Sequence, residues 1–126
     1  MRYFLDTTFL IDYLRGNPAA TSRFATMFED GDQLFVNEIV ACELAAGSRH
    51  DPDPVLEALL EPLEFLQPGP ETAVLAGRWR RAASRAGRTL SLADALIAAA
   101  AVHGGATVLT RNARDFSLTP TLVAAY

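Results

Sequence analysis

Short apolar runs alternate with longer stretches of helical spacing along the chain, and this alternation predicts the fold. Runs of strand type occur at residues 2–5, 34–36, 64–66, 107–110 and 122–124. Apolar residues three and four positions apart predict helices over 8–15, 18–28, 37–46, 54–60, 70–86 and 91–103. Alternating helices and strands indicate an α/β fold, in which helices cover both faces of a mainly parallel sheet of four to five strands.

The length and composition fit one compact domain over residues 1–126, because 126 residues with 50% hydrophobic side chains can enclose a core of their own. The first apolar run ends at Asp6, too early for a secretory segment, and the longest run, 95–102, is much shorter than the roughly 18 residues of a membrane span. We therefore expect a soluble, cytoplasmic protein. The single cysteine, Cys42, has no partner for an internal disulfide and is predicted to be a small core residue.

The charges narrow the possible functions. A net charge of -4 argues against a protein that coats nucleic acid by bulk electrostatics, but it leaves room for a nuclease whose acids are neutralised by metal. Every basic residue apart from histidine is an arginine, and five of the eleven lie between Arg78 and Arg88. Without lysine, the chain cannot use a Walker-type phosphate loop, a Schiff base or the lysine of a receiver domain.

Four acidic residues stand in otherwise apolar stretches that are far apart in the sequence: Asp6, Glu43, Asp94 and Asp115. Burying a carboxylate without a partner costs several kcal/mol or forces the group to take up a proton. A shared divalent cation would remove this cost, and Mg²⁺ prefers carboxylate and water oxygens. The pattern therefore predicts that the four acids form one metal-binding cluster.

Each acid also has a structural explanation. Asp6 follows the first strand, where open parallel sheets bind ligands, but it could instead cap the next helix. Glu43 shares the apolar stripe of its helix and should point inward or into a cleft, unless an arginine pairs with it at the rim. Asp94 comes three residues after Ser91, as in a capping box. Turn formation alone could explain Asp115. The four acids together indicate a metal site more specifically than any one of them does alone.

Further polar residues lie next to these acids in the sequence. Thr7 or Thr8 could hydrogen-bond a metal-bound water or a phosphate, and Thr110 and Asn112 are candidates to orient the acids. The predicted contacts with substrate or a protein partner are Arg111, Arg114, Arg78, Arg81 and Arg85. The last three follow one helical stripe, with Arg88 just beyond its end, and together they could grip successive phosphates, although a solvated helix face explains them equally well.

Four sequence blocks together resemble PIN-domain ribonucleases, in particular the VapC-type toxins of toxin–antitoxin pairs. The blocks run from Leu5 to Asp12, from Glu43 to Gly47, from Leu92 to Ala98, and from Leu109 to Phe116. They occur in the order typical of that family, and the resemblance spans essentially the whole chain.

The resemblance implies a PIN-like α/β/α sandwich and Mg²⁺- or Mn²⁺-dependent endonucleolytic cleavage of RNA, with Asp6, Glu43 and Asp94 as the acidic core. It also implies a VapB-type antitoxin and a toxin homodimer. Family members vary at the fourth acid, and Asn112 stands where some carry aspartate. We take Asp115 as the fourth metal-side acid and Asn112 as a residue that orients it.

Other classes of protein remain as alternatives. A catalytically silent PIN-like module would bind RNA or protein without cutting it, and a DNA-cutting nuclease would share the fold. A phosphotransferase of the haloacid dehalogenase type also starts with an aspartate after the first strand. Its second aspartate, two residues later, is replaced here by Thr8.

Overall fold

The centre of the protein is a five-stranded parallel sheet, as shown by a computed structural model that describes residues 1–66 and 68–126. The strand order is β3-β2-β1-β4-β5, and every neighbouring pair is parallel. The strands are β1 (Arg2–Leu5), β2 (Gln33–Val36), β3 (Glu64–Phe65), β4 (Thr107–Leu109) and β5 (Val123–Ala124). This sheet confirms the predicted α/β class.

Helices fill most of the connections between the strands. They are α1 (Thr7–Leu14), α2 (Pro18–Glu29), α3 (Glu38–Ala46), α4 (Pro54–Leu60), α5 (Pro70–Arg85) and α6 (Leu92–His103). The predicted bounds of these helices and strands differ from the observed ones by no more than one residue at either end. One element was missed, because Ala113–Phe116, predicted as a polar turn, forms a short 3₁₀ helix.

The central strands are buried on both faces. Successive side chains of a strand point to opposite faces of the sheet, and Phe4 and Leu5 of β1 are both fully buried, as are Val108 and Leu109 of β4. Helices therefore cover the sheet on both sides, which explains why these strands read as continuous apolar runs.

A second, smaller core joins α5 to α6. It consists of buried alanines of both helices and Leu90, which lies in the segment that connects them. Alanines let two helices approach closely, and α5 and α6 make the most extensive contact between elements in the described part of the chain. This packing fixes where α6 begins.

The structure corrects the prediction for Cys42, which is exposed. On α3 the buried residues are Val40 and Leu44. A residue two positions after Val40 is rotated by about 200° around a helix of 3.6 residues per turn, so Cys42 faces solvent. Within residues 1–66 and 68–126, none of the helices is both long and apolar enough to cross a membrane.

Candidate active site

The register of the sheet brings two polar residues together where β1 and β4 end. Leu5 pairs with Leu109 in the parallel ladder, so Asp6 and Thr110, the next residues, are neighbours. The backbone N–H of Asp6 continues this ladder by donating to the carbonyl oxygen of Leu109 at 3.0 Å. Asp6 is 4% exposed and Thr110 is 1% exposed. A carboxylate is therefore buried at the carboxyl edge of the sheet.

The carboxylate of Asp6 does not cap α1, although the backbone of Asp6 occupies the N-cap position. It accepts hydrogen bonds from two hydroxyls, those of Thr8 at 2.8 Å and Thr110 at 2.7 Å, and both end on Oδ2. Each hydroxyl has one proton, so the 3.2 Å approach of these two hydroxyls is a packing contact. Within the described ranges, Asp6 has no ion pair, and both hydrogen bonds of its carboxylate end on Oδ2.

The same two hydroxyls hold the turn that follows β4. The backbone N–H of Arg111 donates to Oγ1 of Thr8 at 3.2 Å, and that of Asn112 donates to Oγ1 of Thr110 at 2.9 Å. Thr110 thus lies beside Asp6, whereas Asn112 contacts Thr110 through its backbone. The orienting roles of both residues stay predictions. The sequence left Thr7 and Thr8 open, and it is Thr8 that serves Asp6.

Glu43 reaches the site from α3, which begins beside the end of β2. Asn37 caps this helix by accepting from the N–H of Val40 at 3.1 Å. Oε1 of Glu43 accepts a hydrogen bond from the Thr7 hydroxyl at 2.7 Å. The Glu43 side chain is exposed and faces α1 across a cleft, and it has no arginine partner among the described residues.

Asp94 lies in the first turn of α6, where the Ser91 hydroxyl caps the helix by accepting from the Asp94 N–H at 3.0 Å. Burial raises the pKa of the Asp94 carboxyl, and a hydrogen bond with Ser91 partly opposes this shift. The negative charges of Asp6, Asp115 and Glu43 raise the same pKa further. Three acids from distant parts of the sequence therefore lie close enough to Asp94 to act on its charge.

The donor set suits a hydrated Mg²⁺ or Mn²⁺, because hard cations prefer carboxylate oxygens and Mg²⁺ keeps several of its waters. Three carboxylates repel Asp94, and none of the four acids has an ion pair in the described part of the chain. A divalent ion would relieve this repulsion. Within residues 1–66 and 68–126, no group of three or more acidic, histidine or cysteine side chains is placed to hold a metal ion. An ion at this site would therefore be held by one or two carboxylates and by its own waters.

Arg111 has an internal partner. Its guanidinium pairs with Oδ1 of Asp12 at 2.5 Å, and the hydroxyl of Tyr126 donates to the other oxygen of the same carboxylate. Sequence analysis predicted Arg111 as a ligand contact and gave Asp12 no role. An acid between Ile11 and Tyr13 carried the same signal as the four chosen acids and would have been found by applying that criterion once more.

The other predicted arginine contacts, Arg114, Arg78, Arg81 and Arg85, are exposed. None of them forms an ion pair with another described residue. Their contacts with a ligand stay predictions.

Comparison with known proteins adds an independent observation. The family model of the PIN domain matches residues 3–121. The chain belongs to the PIN-domain family. Ribonuclease VapC19 of Mycobacterium tuberculosis is 34% identical over 122 residues, covering 97% of this chain and 98% of the relative. Ribonuclease VapC1 of Haemophilus influenzae is 26% identical over 121 residues, covering 92% and 90%. The predicted VapC-type PIN membership is confirmed.

Solved structures of PIN proteins have the same fold as this chain. A VapBC-1 structure from nontypeable Haemophilus influenzae superposes with a TM-score of 0.83 at 25% identity, covering 99% of this chain and 98% of the other. VapBC2 from Rickettsia felis, bound to a DNA fragment from its promoter, gives 0.84 at 19% identity, covering 100% and 99%. At 19% identity the likeness supports the PIN-like fold alone.

Proposed function

We propose that the chain is an Mg²⁺-dependent endoribonuclease, for which Mn²⁺ could substitute, and the toxin of a type II toxin–antitoxin pair. The observation that carries this proposal is Asp6, a buried carboxylate that neither caps a helix nor pairs with a cation among the described residues. Three further carboxylates act on the same small region. The ribonuclease names of two PIN relatives support RNA as the substrate.

The residues that could hold the metal are Asp6, Glu43, Asp94 and Asp115, one or two of them directly and the others through its waters. When bound, the ion would neutralise the acids, activate a water for attack on phosphorus and stabilise the leaving oxygen. Hydrolysis by water does not need the RNA 2'-hydroxyl, so we expect 5'-phosphate and 3'-hydroxyl ends.

Hydroxyl side chains hold two of these acids, Asp6 and Glu43, in fixed positions. The hydroxyls of Thr8 and Thr110 hold Oδ2 of Asp6, which fixes the carboxylate and leaves Oδ1 for another ligand. Thr7 orients Glu43 in the same way, because its hydroxyl donates to Oε1. A preorganised carboxylate loses little side-chain entropy when it binds an ion.

The antitoxin partner would bind where an apolar groove meets the acids. A cavity of about 410 Å³ between α1, α2 and α4 includes Leu14 and Val55 in its lining. Both residues also line an adjacent cavity of about 350 Å³ that extends to Glu43. An apolar segment in this groove that ended in a basic residue would reach the acids and block them. The VapBC complexes among the structural relatives support such a VapB-type partner. A homodimer and a cytoplasmic location complete the proposal.

The proposal is tested by mapping new RNA ends in cells that express the intact chain or its Asp6→Asn variant. We expect cuts with 5'-phosphate ends from the intact chain alone, and purified protein should lose cleavage when EDTA removes the metal. Equal cleavage by the Asp6→Asn protein would overturn the assignment.

The alternative is a catalytically silent PIN-like module that binds RNA or protein. It predicts that replacing Asp6, Glu43 or Asp94 leaves ligand binding and cell growth unchanged. The uncompensated charge of the cluster argues against it, because a module without metal chemistry gains nothing from four repelling carboxylates.

A further inference from the structure

A cavity of about 330 Å³ lies between the last turns of α5 and the segment that leads to α6. Its lining residues are Arg80, Arg81, Ser84, Arg88, Thr89 and Leu90. No acid among the described residues lines it. The helical stripe read from the sequence grouped Arg81 with Arg78 and Arg85, but neither of these two borders the cavity. We call it the arginine pocket.

The backbone around the arginine pocket is held in place without a ligand. At the end of α5, the N–H of Arg88 donates to the carbonyl of Ala83 at 2.9 Å and that of Gly87 donates to Ser84 at 3.0 Å. Gly87 has a φ of 72°, which other residues rarely adopt, and this turn directs the chain at Arg88. Nε of Arg80 donates to the carbonyl of Leu90 at 3.1 Å, and the Leu90 side chain is buried.

Positive charge in the pocket is not neutralised by the protein. Arg81 and Arg88 are exposed, and neither forms an ion pair with another described residue. Three guanidinium groups around one cavity, in a chain whose net charge is -4, make a local site for an anion. The hydroxyls of Ser84 and Thr89 add hydrogen-bond donors that phosphate oxygens accept.

The pocket lies close to the acids along the chain. Ser91 is three positions after Arg88, a span of at most about 11 Å. Asp94 lies about 5 Å further along α6 at a rise of 1.5 Å per residue. Both lie at the carboxyl edge of the sheet, because α6 runs back from that edge to the start of β4. A bound strand at the acids would reach the pocket within a few nucleotides.

We propose that the arginine pocket binds a backbone phosphate of the RNA substrate, a few nucleotides from the bond that is cut. Arg81 and Arg88 supply the charge, while Arg80 fixes the backbone through Leu90. This inference rests on the proposed ribonuclease function. RNA is favoured over an acidic protein segment because the pocket adjoins a site that would neutralise phosphate with metal.

The test compares two pairs of substitutions in the Asp6→Asn protein with Mg²⁺ present. Arg81→Gln with Arg88→Gln removes the pocket's free charges, and Arg78→Gln with Arg85→Gln makes the same charge change on the same helix outside it. Fluorescence anisotropy of a labelled single-stranded RNA of about 12 nucleotides is measured across a series of salt concentrations. Unchanged melting temperatures establish that both pairs are folded.

The pocket pair should weaken RNA binding by about 25-fold at 0.1 M salt and reduce the salt slope by about 1.4, because each single-strand phosphate contact contributes about 0.7. The control pair should leave the slope almost unchanged. Equal losses of RNA affinity from both pairs would mean that RNA responds to the overall positive charge of the helix, and this would overturn the proposal. So would hexaglutamate binding that depends on Arg81 and Arg88 as strongly as RNA binding does.

Cleavage by the chain with Asp6 restored separates this proposal from the proposed function. If RNA is cut but the two arginine pairs behave alike, the pocket assignment fails and the ribonuclease assignment stands. If no RNA is cut while binding still depends on the pocket pair, the ribonuclease assignment fails. The pocket then belongs to a silent RNA-binding module.

Discussion

Two aspartates on the same segment differ in how the protein treats their charge. Asp12 is 7% exposed and has both carboxylate oxygens occupied, one by Arg111 and one by the Tyr126 hydroxyl. Asp6 is 4% exposed, yet its described partners are two neutral hydroxyls on one oxygen. Similar burial thus comes with charge compensation at one position and without it at the other. The difference separates an acid whose charge is paired from an acid whose charge the described residues leave unpaired.

Compensation at Asp12 also connects distant parts of the chain. Tyr126 is the last residue of the sequence, and its ring packs edge-on against Phe9 at 4.8 Å between centroids. Arg111 belongs to the turn whose backbone donates to Thr8. Asp12 therefore anchors the C-terminal residue and the turn beside the active site to α1, so that a structural ion pair supports the geometry around Asp6.

The largest loss of stability should come from breaking the ion pair between Asp12 and Arg111. Asp12→Asn leaves Arg111 without its counter-charge and weakens the bond from Tyr126. Breaking a buried ion pair costs about 3–5 kcal/mol, and the Arg111 side chain is 48% exposed, so we expect a loss of about 2 kcal/mol. Asp6→Asn should leave stability unchanged or higher in EDTA. Urea unfolding measures both, and a similar loss for the two variants would remove the distinction.

Bound Mg²⁺ should make Asp6, the acid without a cationic partner among the described residues, contribute to stability. At an Mg²⁺ concentration about ten times its Kd, binding to the folded state alone stabilises a protein by about 1.4 kcal/mol. We expect this gain for the intact chain and none for Asp6→Asn. Calorimetric melting with Mg²⁺ and with EDTA provides the measurement. Asp12→Asn is the matched control and should keep most of its Mg²⁺ response, whereas loss of that response would tie Asp12 to metal binding directly.

The sequence was sufficient for the fold because its signals are local. Continuous apolar strands and helices with residues such as Asn37 and Ser91 at their starts are read from neighbouring positions, and both of these residues do cap their helices. The prediction for Cys42 was wrong because a helix with apolar residues all round does not reveal which of its faces packs inward.

The sequence indicated which acids to consider for the candidate site, but not which of them are paired with a cation. Carboxylates stand out in apolar stretches, so the buried Asp6 and the half-buried Asp94 were found from the sequence. Whether a given acid has a cation depends on contacts between residues far apart, such as Asp12 and Arg111, which are 99 positions apart. Sequence spacing carries no information on such a pair.

An effect of comparable size should separate a hydroxyl that donates to Asp6 from a hydroxyl without a hydrogen-bond partner in the described ranges. Thr110→Val removes the donor to Oδ2 of Asp6, and a hydrogen bond to a charged group contributes about 1.5 kcal/mol or more. Thr121 is a matched control, since its Oγ1 is buried without a hydrogen-bond partner in the described ranges. Thr121→Val should be neutral or stabilising. Equal unfolding free energies for the two variants would show that the Asp6 network contributes no stability.

Asp53 and Asp94 extend the contrast between paired and unpaired acids to the pH dependence of stability. For each of them we predict the sign of that dependence. The pKa of Asp53 is lowered from its ordinary 3.8, first by the Ser48 hydroxyl and then by the backbone N–H of Leu56. The pKa of Asp94 is raised from the same value, first by burial and then by its acidic neighbours. Asp53 is thus a compensated acid, like Asp12, and Asp94 is an uncompensated acid, like Asp6.

Stability rises with pH wherever the unfolded chain binds more protons than the folded one. Folded Asp94 keeps its proton to higher pH than unfolded Asp94, so it lowers stability as pH rises through the interval above 3.8. Asp94→Asn should therefore gain stability relative to the intact chain across that interval, measured by urea unfolding in EDTA. Asp53→Asn should instead be less stable at neutral pH, with the deficit shrinking as pH falls below 3.8. Deficits of the same sign for both variants would mean that burial and the acidic neighbours together do not raise the pKa of Asp94.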